Sequence, residues 1–75
     1  MGKQYKNQHY LVRVGEKLVE IRNRKKISQE KLQELSGFDT RQIGRIERAE
    51  TNASISIIKA IADALKVKVS ELLDV

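Results

Sequence analysis

A chain of 75 residues with a formal net charge of +5 and no cysteine forms one small domain, because folding at this size buries only about 60% of the surface that the unfolded chain exposes. The missing cysteines exclude disulfides, thiolate metal sites and a cysteine nucleophile, and no apolar run approaches the roughly 20 residues of a membrane span. The charge is uneven: residues 1–31 carry nine Lys/Arg against three acids, and residues 32–75 carry six against seven. A basic surface of this kind attracts phosphate backbones or anionic lipid.

Residues 1–13, MGKQYKNQHYLVR, carry Lys3, Lys6 and Arg13 beside Tyr5 and Tyr10, with little periodicity before Leu11. They read as a short N-terminal basic arm, with Tyr10 and Leu11 in a lead-in turn, and leave 14–75 as the domain proper. Met1-Gly2 opens like a myristoylation signal, but Lys6 stands where that signal needs Ser or Thr. With no hydrophobic leader segment either, a soluble cytoplasmic protein is expected. His9 is the single histidine, and it reads as an exposed polar side chain.

Val14, Leu18 and Ile21 recur at spacings of four and three, which predicts a first helix from about Val14 to Lys25. Its end is basic, with Arg22, Arg24, Lys25 and Lys26. Cations there complement the helix dipole and could equally meet phosphate. Ser28 is a good N-cap for a second helix, which reaches the core through Leu32 and Leu35 and stops at Gly37. Asp39 and Gln42 have capping-box spacing and Phe38 is in register to staple onto Ile43, so a third helix begins at Thr40. Two short helices so joined cross steeply, as in a helix-turn-helix.

At about 100° per residue the third helix has two unlike sides. Ile43 and Ile46 point one way, with Asp39 beside them, whereas Arg41, Gly44, Arg45 and Arg48 point the other. Packing alone does not require three arginines on one side, which makes nucleic acid the first partner to consider. The segment RAETNASIS is a loop. Ser54 caps a fourth helix with Ile55, Ile58, Ile61, Ala62 and Leu65 as its apolar stripe, and a last helix from about Val69 to Leu73 closes the core with Leu72 and Leu73. The predicted class is all-α, a compact set of five helices behind a short arm.

The order ISQEKLQELSG, FDTRQIGRIER, SISIIKAIADALKVKVSELL resembles the Xre-type helix-turn-helix regulators, which share the fold of phage lambda repressor and Cro. The resemblance covers roughly Val14 to Leu73. It implies sequence-specific binding of double-stranded DNA and regulation of transcription, with repression expected. With no cysteine, no paired histidine and acid, no phosphate-cradling glycine loop and too little chain to enclose a pocket, no enzyme activity, metal or cofactor is expected. It makes Gln29 a backbone and base-edge contact, and places Thr40, Arg41, Gly44 and Arg45 at the DNA-facing positions of the recognition helix. It also implies a structural ion pair between Arg22 and Glu47. Four positions depart from the family pattern: Gln33 where a small residue is usual between the second and third helices, Ala49 and Lys66 where glycines commonly end helices, and Ala53 where proline is common.

A helix fits the major groove, and arginine can offer two donors to guanine O6 and N7, so Arg41 and Arg45 are the expected sequence readers. Gln29, Thr40, Arg48 and Asn52 are expected to hold phosphates, with the N-terminal amides of the second and third helices. Glycine inside a helix costs roughly 0.8 to 1.0 kcal/mol relative to alanine. Gly44 therefore either lets the helix sit deeper in the groove or marks an exposed position under no pressure. One domain makes few contacts, so a homodimer on a palindromic site is expected. Its candidate interface residues are Ile57, Val69, Leu73 and Val75, which could instead finish the core. The rival to DNA binding is an antitoxin or adaptor-type protein-binding module, to which the arginine side would be superfluous. A further alternative, non-specific nucleoid or RNA binding, would need only the arm and the net charge.

Overall fold

The structure is a computed structural model that describes residues 8–73. Five helices and no strand occur among them: α1 Gln8–Arg24, α2 Gln29–Ser36, α3 Thr40–Glu47, α4 Ile55–Leu65 and α5 Val69–Leu73. The all-α expectation and the order of the five elements stand. No helix among the described residues is long and apolar enough to cross a membrane.

The largest difference from the sequence reading is the start of α1. The helix begins at Gln8 rather than near Val14, so 8–13 are helical rather than arm, and Tyr10 and Leu11 are not in a lead-in turn. Leu11 stands three residues before Val14 and Tyr10 four, so the apolar stripe runs on toward the N-terminus. Tertiary bonds fix this added length: Gln8 Nε2 donates to the Ala49 carbonyl at 3.1 Å, and the Tyr10 hydroxyl donates to the Leu73 carbonyl at 3.0 Å. Lys3, Tyr5 and Lys6 lie outside the described residues.

The core is a single cluster of Val14, Leu18, Ile21, Leu32, Ile43, Ile46, Ile58, Ile61, Ala62, Leu65 and Leu72. It forms because α1 packs on α3 and α5, while α2 packs on α3 and α4. Two side chains expected inside are outside. Leu35 is exposed, and Ile55, at the very start of α4, is 68% exposed. The first turn of α4 therefore projects beyond the packed cluster, and Ile57, expected outside, is half-buried against it.

Local signals explain where α2 and α3 start and stop. The Ser28 hydroxyl accepts from the Lys31 N–H at 2.9 Å, and Gly37 ends α2 in the left-handed region at φ 84°. Asp39 caps α3 by accepting from the Arg41 N–H at 2.9 Å. A second acceptor comes from α2: Gln33 Oε1 takes the Thr40 N–H at 2.8 Å, a different donor from the Asp39 N–H that the capping-box spacing assigns to Gln42. A larger residue at this family position thus joins the two helices. Gly15 plays the corresponding part between α1 and α3. A β-carbon there would stand 2.5 Å from the Glu47 carbonyl oxygen and 2.8 Å from that of Ile46, so glycine is what lets the end of α3 lie directly against α1.

Candidate nucleic-acid interface

The α3 helix is dry on one side, where Ile43 and Ile46 are buried. On its other side Arg41 and Arg45 are exposed, and neither guanidinium makes a hydrogen bond or ion pair with another described residue. Together with Asp39, Gln42 and Thr51 they line an open polar depression. Thr51 is a member that sequence reasoning missed, because the loop had no periodicity to place it. Thr40 is half-buried at the helix start, with its hydroxyl 3.5 Å from Asp39 Oδ1.

Gly44 lies on the arginine side yet is buried, which corrects its reading as an exposed position. The Arg48 side chain folds back over it: a β-carbon on Gly44 would be 2.9 Å from Arg48 Nη1 and 3.7 Å from Gln29 Nε2. Arg48 in turn is held by Glu50, with Nε to Oε2 at 2.9 Å and Nη2 to Oε1 at 3.2 Å. The hydrogen bond from Arg48 holds the Glu50 carboxyl below the usual carboxylate range, and the same bond raises Arg48 further above its ordinary value. Both groups are therefore charged at neutral pH.

Behind this surface a second group of polar side chains ties three elements together. Arg22 Nε donates to Glu47 Oε2 at 2.6 Å and Arg22 Nη2 to Glu47 Oε1 at 3.3 Å. A third donor of the same guanidinium, Nη1, reaches the Ile27 carbonyl at 2.9 Å. The two side chains are only 12% and 7% exposed. Gln29, at the first position of α2, donates its amide to Glu47 Oε1 at 2.9 Å. Its nitrogen is therefore turned inward to α3, and its carbonyl oxygen is the end left for another partner.

The remaining expected residues are more scattered. Asn52 is exposed in the α3–α4 loop, on the rim of an apolar cavity of about 230 Å³ that also borders Tyr10, Val14, Ile46 and Ile55. Ile57, Val69 and Leu73 are half-buried against the core, not left outside it, because the short α4 and α5 fold toward each other. Val75 lies outside the described residues. The large apolar side chains that are exposed among the described residues are Val12, Leu35 and Ile55.

Known proteins resemble the chain along most of its length. A family model described as helix-turn-helix matches residues 18–72. Control protein C.SmaI from Serratia marcescens is 38% identical over 60 residues, which are 80% of this chain and 71% of that protein. The restriction-modification controller protein C.AhdI from Aeromonas hydrophila superposes with a TM-score of 0.80 at 42% identity, over 83% of this chain and 94% of that one. The hypothetical transcription factor NHTF from Neisseria gives a TM-score of 0.81 at 26% identity, over 97% of this chain and 85% of that one.

Proposed function

From a chain that belongs to the helix-turn-helix family of DNA-binding transcription regulators, we propose that α3 enters the major groove of its operator and that Arg41 and Arg45 read guanines there. The observation that carries this is the pairing of two exposed guanidinium groups on the outward side of α3, neither hydrogen-bonded nor ion-paired to a described residue, with two buried isoleucines behind them. Each arginine can make a bidentate contact to O6 and N7 that discriminates by about 1 to 3 kcal/mol. Thr40, Arg48, Asn52 and the N-terminal amides of α2 and α3 hold phosphates and fix register. Gln29, whose amide nitrogen is bound to Glu47, anchors α2 to α3 and offers its carbonyl oxygen outward. Gly44 serves by letting Arg48 lie across α3.

The domain acts as a homodimer on a palindromic site, with half-sites about 10 to 10.5 base pairs apart, and represses transcription by occupying that site. Likeness to the controller protein C.AhdI and to control protein C.SmaI extends the proposal to control of restriction-modification gene expression. Selection of bound duplexes from a random pool tests specificity, symmetry and spacing together. The expected outcome is a palindrome with guanines in each half-site; recovery of unrelated sequences would overturn it. Arg45→Ala should weaken binding to the recovered duplex about tenfold or more with far less effect on random duplex. Equal losses on both would remove Arg45 as a reader.

A further inference from the structure

Arg48 is presented differently from the other two arginines of the α3 side. Its guanidinium lies over Gly44 and is gripped at two points by Glu50, at 2.9 and 3.2 Å. The backbone builds this grip. Ala49 adopts a left-handed φ of 60°, so the Glu50 N–H returns to the Arg45 carbonyl at 2.8 Å and the carboxylate comes back beside α3. The same turn ends α1 and α4, where the residue in the place of Glu50 is apolar and packed against the core, Ile27 and Val67 respectively. Of these three turns, the one after α3 alone puts an exposed acid there, and it does so on the side where DNA phosphate is expected.

We propose that Glu50 is an internal anion that competes with DNA phosphate for Arg48, so that Arg48 exchanges a carboxylate for a phosphate on binding and affinity is lowered for every duplex. This rests on the reading of α3 as the DNA-facing helix. Carboxylate and phosphate accept the same two-pronged guanidinium contact, so the exchange requires only a swing of the Arg48 side chain. The pair is 58% and 51% exposed, and pairs in such surroundings hold weakly, which keeps the exchange accessible. Its effect is blind to sequence, and discrimination stays with Arg41 and Arg45.

The test is a double-mutant cycle of wild type, Glu50→Gln, Arg48→Gln and the double variant, titrated with the selected duplex and with random duplex over a range of salt. Glu50→Gln should tighten both by the same roughly two- to fivefold and steepen the slope of log affinity against log salt by about 0.9. That gain should vanish in the Arg48→Gln background. A gain that persists without Arg48 would reduce Glu50 to simple repulsion, a loss confined to the selected duplex would make it a base contact, and no change would dismiss it; each result overturns the exchange. Arg45→Ala, together with Arg41→Ala, separates the two levels, because equal loss on both duplexes in both variants removes the α3 reading itself whatever Glu50 does.

Discussion

Three helices end on residues that carry a β-carbon in a left-handed backbone: Lys26, Ala49 and Lys66, at φ 59°, 60° and 61°. Among the helices whose ends are described, α2 alone ends on a glycine, Gly37. An L-residue in this conformation costs roughly 1 to 2 kcal/mol, and each turn is held by the bond that closes it, such as Val67 N–H to the Ala62 carbonyl at 3.0 Å. Lys66 is exposed, so Lys66→Gly removes strain without removing packing, while glycine in the unfolded chain offsets about 0.4 to 1 kcal/mol. The net gain should raise the melting temperature by roughly 2 to 5 °C, as differential scanning calorimetry would read. Ala49→Gly should gain nothing, because the Ala49 methyl is buried and its loss cancels the relief. A fall with Lys66→Gly would mean that the turn carries no strain.

The element scale is where α3 gains its fixed aim. Glu47, the last residue of α3, is the acceptor for α1 through Arg22 and for α2 through Gln29, and Gly15 brings α1 against the same turn. Removing one partner of a nearly buried pair leaves the other charge unsatisfied, at a cost of about 3 to 5 kcal/mol. Glu47→Ala should therefore lower stability by about 3 kcal/mol, a large share of a domain's usual 5 to 15 kcal/mol. Denaturant titration should also show the double variant Arg22→Met, Glu47→Leu to be more stable than Glu47→Ala alone. Unchanged stability in Glu47→Ala would remove the tie. Periodicity and capping residues were enough to order the five helices, since they act within a turn or two. The parts that were not legible depend on contacts across elements: Gly15 against α3, Gln33 capping α3 from α2, and Arg48 covering Gly44. Glycine inside α1 was still a usable signal, because its cost in a helix interior asks for a reason.

Over the whole molecule, charge and shape divide the work between general attraction and sequence reading. The excess of positive charge lies in residues 1–31, whereas the two exposed arginines of α3, Arg41 and Arg45, lie in the half whose charges nearly balance. A cation that meets only phosphate releases counterions without sensing sequence, and contributes about 0.9 to the slope of log affinity against log salt. Lys6→Ala, at a position outside the described residues, should therefore weaken the selected and the random duplex by the same small factor and flatten both salt slopes by at most about 0.9. Arg45→Ala should do the reverse, separating the two affinities while leaving the slope for random duplex almost as it was. Titrations at four or five salt concentrations measure both quantities in one experiment. A Lys6→Ala loss confined to the selected duplex would place the N-terminal segment among the sequence readers, in the way that an arm entering a minor groove would act.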